Sequence, residues 1–364
     1  MCTIVLKHTV IPVFTRLSDK TPKTQVCTSM GQKSSKDVQI NGTVAPGYEP
    51  VKEMFTDNFR KGREESAQLC VYVGEEKVVD IWASTTIPSY TADTLTNVFS
   101  STKSLTAIAM AIMQERGLIK YGAKIAEYWP EFGHNGKEGV TVADLMRHEA
   151  GLASFDTSID VHDALAENIK KNNLGKIIET QKLNFPETGK REYHGVTRGW
   201  IANEIIRRVH PDGNTIGEFL QKEVSGPLNA DAFIGVNDLA VNNYAPVGEM
   251  TFSFVIGQSL IPNILGRAVD CNIFELCAFL NMWRKAANTS VKKPAFADHN
   301  GLEMNTKISA FFNQEIVRRG ETSSANGNCS ARGEHFKVQV SLIFTDTFSR
   351  SCCHCSCNGK QGSI

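Results

Sequence analysis

Residues 99–104, Phe99-Ser100-Ser101-Thr102-Lys103-Ser104, place a serine three positions before a lysine at the start of an apolar segment. In a helix, positions i and i+3 share a face, so the Ser100 hydroxyl and the Lys103 ammonium can approach each other. A serine hydroxyl is a weak nucleophile until a neighbouring group accepts its proton. A lysine one turn away, at a helix N-terminus that favours negative charge, supports that step. The spacing therefore predicts an active-site serine of the Ser-x-x-Lys hydrolase type.

The segment that follows Lys103 supports this prediction. Residues 105–113 are good helix formers that are apolar nearly all round, which predicts a fully buried helix, and Gly117 is a stop signal. The alternative for Ser100 is a helix N-cap whose hydroxyl binds a backbone N–H, with Lys103 solvated.

A second Ser-x-x-Lys string occurs at residues 290–293. Pro294 follows it directly and biases the preceding lysine away from helical geometry, which predicts a loop. We therefore interpret Ser290 as a surface residue.

Two further blocks accompany the Ser100 helix. Residues 121–130 read Tyr-Gly-Ala-Lys-Ile-Ala-Glu-Tyr-Trp-Pro, and residues 139–152 read Gly-Val-Thr-Val-Ala-Asp-Leu-Met-Arg-His-Glu-Ala-Gly-Leu. In this order and spacing, the three segments resemble the serine beta-lactamase and penicillin-binding-protein superfamily, and most of all its class C beta-lactamase-related esterases and beta-lactamase domain-containing proteins. The resemblance extends from about residue 38 to about residue 333.

The resemblance implies a catalytic tyrosine, and the string Glu-Tyr-His-Gly-Val-Thr-Arg-Gly-Trp at residues 192–200 fits the esterase-like variant of its motif. The implied roles are Ser100 as nucleophile, Lys103 as charge partner and proton relay, and Tyr193 as general base and then acid. The alternative for Tyr193 is an amphipathic tyrosine at a domain interface. Gly195 stands where the family often has an asparagine, which favours ester hydrolysis over beta-lactam hydrolysis.

The resemblance also implies a third motif, a C-terminal strand beside the nucleophile that contributes a backbone N–H to the oxyanion hole. No such triad is recognisable: the nearest string, at residues 299–301, lies in a polar stretch, and family-like sequence ends at Gly333. The activity of this C-terminal form is therefore in doubt at the level of sequence. Two functions stay open: a serine hydrolase of the esterase or amidase type, and a catalytically impaired or non-catalytic binding or assembly module.

The tail, residues 334–364, contains one strand-like alternation at 336–344 and ends in a cysteine-rich string. Only Cys352 and Cys355 have C-x-x-C spacing, and a structural zinc site usually needs two separated pairs, so we expect no metal. No cofactor is expected either. We expect residues 349–364, like the leader at 1–36, to be disordered.

Hydrophobic patterning predicts an α+β fold. Strands at 67–73 and 77–82 form a hairpin after an amphipathic helix at 46–64, and helices dominate residues 102–288. We therefore expect an antiparallel sheet flanked by helices, with an inserted all-helical lobe and incomplete C-terminal strands, in one hydrolase domain over residues 37–333. His148 is interpreted as a packing residue in a helix capped by Thr141 and Asp144.

Composition limits the partners. The 39 basic and 39 acidic residues balance, which argues against nucleic acid, and no run of about 18 apolar residues indicates a transmembrane segment. A small-molecule ester or amide is the expected substrate, and a homo-oligomer stays open. Six scattered cysteines outside the tail suit a reducing compartment, so we expect a cytoplasmic protein, with a mitochondrial location as the alternative.

Overall fold

The computed structural model describes residues 38–157, 159–185, 190–236, 243–248, 256–257, 259–262, 311–323 and 325–330. Several sequence predictions lie outside these residues. They concern the leader at 1–36, the strings at 290–293 and 299–301, and the tail at 334–364 with its strand and its cysteines. The boundaries of the 37–333 domain therefore also stay predictions.

An antiparallel sheet of three strands, in the order β1-β3-β2, is built from the first part of the described chain. Its strands are β1 (Asn41–Val44), β2 (Ser66–Val73) and β3 (Glu76–Ser84). β2 and β3 confirm the predicted hairpin, whose turn has Gly74 at a φ of +62°. Glycine adopts this left-handed conformation without steric cost, so the turn can be tight.

Helix α1 (Glu49–Arg60) confirms the predicted amphipathic helix, with shorter bounds than expected. Its Phe55 and Phe59 are buried in one cluster with side chains of both hairpin strands, including Leu69 and Ile81. Removing such large apolar side chains from water stabilises the fold by about 1.5–3 kcal/mol each. The cluster therefore attaches α1 to the sheet.

A second antiparallel sheet has the strand order β4-β6-β5, and its first strand directly precedes the Ser-x-x-Lys segment in the chain. Its short strands are β4 (Thr96–Asn97), β5 (Ala232–Ile234) and β6 (Gly327–Cys329). The α+β class is confirmed, but the described strands form two sheets, where we expected one. Strands of two or three residues have too few positions to show an alternating pattern, so the sequence did not reveal them.

Helix α2 (Thr102–Glu115) follows the Ser-x-x-Lys serine and ends before Gly117, which has a φ of +72°. Its start and stop were predicted from sequence. Burial is less complete than predicted: Met110 and Met113 are fully buried, whereas Ile108 and Ile112 are only partly buried. The helix packs against two later helices, α6 (Thr197–Val209) and α7 (Ile216–Leu220).

The predicted helical middle is confirmed as far as residue 220 by shorter elements that lie between β4 and β5 in the chain, whereas its last part, residues 263–288, lies outside the described residues. They are α3 (Val142–Met146), α4 (Ala166–Lys170), α5 (Asn173–Thr180), α6 (Thr197–Val209) and α7 (Ile216–Leu220), and α8 (Glu315–Arg319) follows in the C-terminal part. Trp129 and Phe132, from the Tyr-Trp-Pro block, are fully buried among them. Within the described ranges, no helix has the length and apolar character that a membrane span requires.

Candidate active site

Ser100 lies where the short strand β4 turns into helix α2. One 3₁₀ turn, Phe99–Ser101, connects the two elements, and Phe99 has a φ of +42°. Positive φ is uncommon for a residue with a side chain. The half-buried Ser100 therefore lies at a junction between the sheet and the helix.

The alternative of an N-cap role for Ser100 is wrong. The N-cap residue of α2 is Ser101, and no side chain caps this end of the helix. The Ser100 hydroxyl instead forms a hydrogen bond with the Tyr193 hydroxyl, with 2.6 Å between the two oxygens. Local helix geometry therefore leaves the Ser100 oxygen available for another partner.

The structure brings the three residues predicted from sequence together. The Lys103 ammonium lies 3.4 Å from Ser100 Oγ and donates a hydrogen bond of 2.7 Å to the Gly195 carbonyl. The same nitrogen lies 4.8 Å from the centre of the Tyr193 ring. A cation over an aromatic face is attracted by the ring electrons, so this contact also orients the phenol.

Tyr193 is the exposed member of the group, with 57% of its surface accessible. It precedes α6 in the chain, and the neighbouring Glu192 N–H donates to the His148 carbonyl at 3.0 Å. A molecule arriving from solvent can therefore reach the Ser100–Tyr193 pair, whereas Lys103 lies behind it.

Burial changes the charge of Lys103. Removing its ammonium from water, with a smaller effect from the nearby Arg198 charge, lowers the pKa of Lys103 to about 7. The amine is thus close to the point at which charged and neutral forms are equally populated in neutral solution. A group in this state can both give and take a proton at little cost.

His194, between Tyr193 and Gly195, is fully buried and has a defined tautomer. Its Nε2 accepts the Leu152 N–H at 3.1 Å, so the ring proton is on Nδ1, which donates to the Glu192 carbonyl at 2.6 Å. Burial lowers the pKa of His194 to about 4. His194 is therefore neutral near pH 7 and holds the tyrosine loop against residue 152.

His148 occupies a different place from the one predicted. The Thr141–Asp144 capping box of α3 is confirmed, but α3 ends at Met146 and His148 follows it with a φ of +66°. Its ring lies 5.0 Å from the Tyr193 ring, centre to centre. The interpretation as a packing residue within the helix was therefore wrong, because the chain leaves the helix before His148.

The His148 ring is also neutral. Its Nδ1 accepts the His194 N–H at 3.0 Å, so the proton is on Nε2. Burial, with a further contribution from the Arg198 charge, lowers the pKa of His148 to about 3. Two neutral imidazoles therefore flank the tyrosine, and neither adds positive charge beside Lys103 near pH 7.

Arg198, in the first turn of α6, is the site residue that sequence reasoning missed. It is buried, and its guanidinium donates to the Lys103 carbonyl at 3.0 Å and to the Met146 carbonyl at 3.4 Å. Its Nε has no hydrogen-bond partner among the described residues. The signal in the sequence was a charged residue inside a helix start that is otherwise apolar or small, two positions before Trp200.

A metal site was not expected, and no group of three metal-ligating side chains occurs within the part of the chain that the structure describes. The cysteine-rich string lies outside that part. The described site thus consists of a hydroxyl, a phenol and an amine, which is a set suited to acyl transfer through a serine.

Comparison with known proteins shows the family of the chain. The Beta-lactamase family model matches residues 51–255, which is more than half of the 364 residues. Esterase/beta-lactamase LipL from Mycobacterium tuberculosis (strain ATCC 25618 / H37Rv) is 33% identical over 198 residues, or 53% of this chain. The match covers 44% of LipL, so the chain spans less than half the length of that relative.

Two crystal structures extend the similarity to the fold. A penicillin-binding protein homologue from Caulobacter crescentus is 27% identical, with a TM-score of 0.58. A family VIII carboxylesterase is 25% identical, with a TM-score of 0.59, and for each structure the match covers 80% of this chain and 68% of the other. The matched segment, the shared fold and the motifs predicted from sequence together show that this chain belongs to the beta-lactamase family.

Proposed function

We propose that this protein is a serine hydrolase of the esterase type that acts through an acyl-enzyme on Ser100. The observation that carries the proposal is the 2.6 Å hydrogen bond between the Ser100 and Tyr193 hydroxyls, with the Lys103 ammonium 3.4 Å from Ser100. A nucleophile within hydrogen-bond reach of its base, itself oriented by a third group, is the arrangement that serine acyl transfer requires.

In the first step, the Tyr193 oxygen accepts the Ser100 proton and passes its own proton to the neutral Lys103 amine, while Ser100 Oγ forms a bond to the ester carbonyl carbon. The carbonyl electron pair moves to the carbonyl oxygen. When this intermediate collapses, the bond to the alcohol oxygen breaks, and the leaving alcohol takes the proton from Tyr193. Water then repeats the sequence on the acyl-enzyme, which releases the acid and returns the proton to Ser100.

Lys103 and Tyr193 act in this proposal as one proton-accepting pair. The pair can accept the Ser100 proton when the Lys103 amine is neutral, because the phenol can then pass its own proton to the amine and regain it when the alcohol leaves. Since the pKa of Lys103 is about 7, this form is available in neutral solution. The positive charge that appears on Lys103 then offsets the negative charge that develops on the reacting oxygens.

An ester is preferred to an amide as substrate class for three reasons. Gly195 offers no side-chain amide beside the tyrosine, where the resemblance predicts one for beta-lactam recognition. Among the relatives, one is named an esterase/beta-lactamase and one a family VIII carboxylesterase. The leaving group of an ester is an alcohol, which leaves more easily than the amine of an amide and therefore demands less from the general acid.

The experiment combines turnover of p-nitrophenyl butyrate with covalent labelling by a fluorophosphonate and identification of the labelled peptide. We expect labelling of the wild type on Ser100 and loss of both signals in Ser100→Ala. Ser101→Ala, the neighbouring hydroxyl without a capping hydrogen bond, and Ser290→Ala, in the second Ser-x-x-Lys string, are the controls and should keep both signals.

Labelling that persists in Ser100→Ala would remove Ser100 from the mechanism. A folded wild type that shows neither labelling nor turnover would instead support the non-catalytic module. Turnover of p-nitrophenyl butyramide at a rate similar to the ester would change the substrate class to amides and leave the nucleophile unchanged.

A further inference from the structure

The turn that presents Ser100 depends on an unfavourable backbone conformation. Phe99 has a φ of +42°, a region that is sterically unfavourable for a residue with a side chain, so the surrounding structure must stabilise it. The Phe99 ring packs edge-on against Phe312 with 5.1 Å between ring centres. Ring packing alone does not set φ, because the side chain can rotate about its own bonds.

The backbone of Phe99 is held on both sides by side chains. Its N–H donates to Asn97 Oδ1 at 2.7 Å, and its carbonyl accepts a hydrogen bond from Thr102 Oγ1. Thr102 Oγ1 also accepts the Gly327 N–H at 2.7 Å, which ties the turn to strand β6. Both polar groups of Phe99 are therefore satisfied in the conformation that the structure shows, and the carbonyl also accepts the Thr102 backbone N–H.

A chain of hydrogen bonds fixes the orientation of the Asn97 amide. Asn326 Nδ2 donates to the carbonyls of Val317 and, at 3.4 Å, Gly320, which can only accept. Asn326 Oδ1 therefore faces Asn97 and accepts from Asn97 Nδ2 at 3.0 Å. The remaining Asn97 oxygen then has to face the Phe99 N–H.

Both amides lie in the interior, where an unpaired group is costly. Asn97 is 8% exposed and Asn326 is fully buried, so water does not replace a lost hydrogen bond easily. A buried donor without a partner is destabilising, because it has lost its hydrogen bond to water and gained none in exchange. The pair therefore holds the Phe99 peptide more firmly than the same groups would at the surface.

We propose that Asn97 is a positioning residue for the Ser100 nucleophile and that Asn326 locks the Asn97 amide in the orientation that it needs. The role rests on the proposed function, since it acts through the placement of Ser100. In this proposal the C-terminal part of the described chain also supports the site, because Asn326 lies outside residues 51–255, which match the family model.

The first test measures the second-order rate constant of fluorophosphonate labelling per folded molecule. Asn97→Ala should lower it about 10- to 100-fold, since 1.4 kcal/mol corresponds to a factor of ten. The matched control is Asn203→Ala, which also removes a buried amide that accepts a backbone N–H (Ile216, 2.7 Å) and donates to one side chain. The control should destabilise the fold but keep the labelling rate within about threefold.

The second test asks whether the positive φ of Phe99 is the reason why the Asn97 amide is needed. Glycine adopts positive φ about as readily as negative φ, so in a Phe99→Gly background the Asn97→Ala change should cost less than about threefold. Phe99→Ala removes the same ring but keeps a Cβ atom, and there Asn97→Ala should again cost about 10- to 100-fold. An equal cost in both backgrounds would overturn the proposal.

The third measurement does not depend on activity. Hydrogen exchange of the Phe99 amide should be at least about tenfold faster in Asn97→Ala than in wild type, and unchanged in Asn203→Ala. If the wild type is not labelled at all, the proposed function fails, and exchange still tests the contact. Unchanged exchange of the Phe99 amide in Asn97→Ala would contradict the positioning role in either case.

Discussion

The Arg198 guanidinium donates a hydrogen bond of 3.0 Å to the backbone carbonyl of Lys103, and no carboxylate of the described residues pairs with it. A buried positive charge without a counter-ion disfavours a second positive charge nearby. It thereby contributes, after burial itself, to the low pKa of Lys103. The contact connects the first turn of α6 to the protonation state of the site.

The first prediction concerns the pH dependence of acylation. The pair of Lys103 and Tyr193 must lose one proton before it can accept another, so the labelling rate should rise as pH increases through about 7. Arg198→Met removes the neighbouring charge, raises the pKa of Lys103, and should move this rise upwards by roughly one pH unit. Arg198→Lys keeps the charge and should shift the rise less; a profile that is the same in all three proteins would contradict the role of Arg198.

The second prediction concerns cooperation between Lys103 and Tyr193. Lys103→Ala and Tyr193→Phe should each lower acylation by several orders of magnitude with little loss of folding, because each removes half of one proton-accepting pair. The double variant should be scarcely slower than either single variant. Rate measurements on all four proteins decide the question, and effects that multiply would mean that the two residues act independently.

The third prediction is a loss of stability in acid that originates at the imidazoles. The native pKa of His194, about 4, lies below its ordinary value of 6.5, so the unfolded chain binds more protons between these values. The free energy of unfolding should therefore fall as pH decreases from about 6.5 to about 4, by about 1–3 kcal/mol from this residue. Denaturant unfolding across this range measures it.

His194→Gln is the variant with which the pH dependence of the free energy of unfolding in wild type is compared. Its side-chain oxygen can accept the Leu152 N–H but cannot be protonated in this range, so the acid loss should become smaller. His134→Gln, which replaces an exposed histidine, is the control for removing an imidazole from the surface. An identical acid slope in wild type and His194→Gln would assign the loss to other groups.

The fourth prediction concerns Glu321, a fully buried carboxyl away from the catalytic group. It accepts hydrogen bonds from Thr215 Oγ1 at 2.6 Å, Asn203 Nδ2 at 2.8 Å and Gly217 N at 3.1 Å. Burial nevertheless raises the pKa of Glu321 to about 7. Because the native pKa lies above the ordinary value of 4.5, the stability contributed by the proton is complete below about 4.5 and is lost as pH rises through about 7.

Glu321→Gln should remove this alkaline loss. The glutamine can keep its oxygen towards Asn203 and Gly217 and donate to the Thr215 hydroxyl, so we expect a Tm at pH 8 equal to or above that of wild type. Glu315→Gln, at an exposed carboxylate, is the matched control and should not change the pH dependence. A Tm of Glu321→Gln that still falls between pH 5 and pH 8 as in wild type would contradict the prediction.

Much of the fold and part of the site could be predicted from the sequence because they depend on neighbours in the chain. The contact between Ser100 and Lys103 follows from a spacing of three residues, and the hairpin and the end of α2 follow from alternation and a glycine stop signal. Tyr193 was found through the resemblance, since no local spacing connects it with a serine 93 residues away.

The tertiary structure alone decided how the site is supported. Asn97 meets Asn326 across 229 residues, and Arg198 meets the Lys103 carbonyl across 95. These contacts depend on which distant segments pack together, and the sequence does not show which distant residue a polar side chain will contact. The sequence by itself determined that Ser100 and Lys103 lie close together, because residues three apart share one face of a helix. The protonation of Lys103 and the placement of Tyr193 were decided by burial and by tertiary contacts, which exist only after the chain has folded.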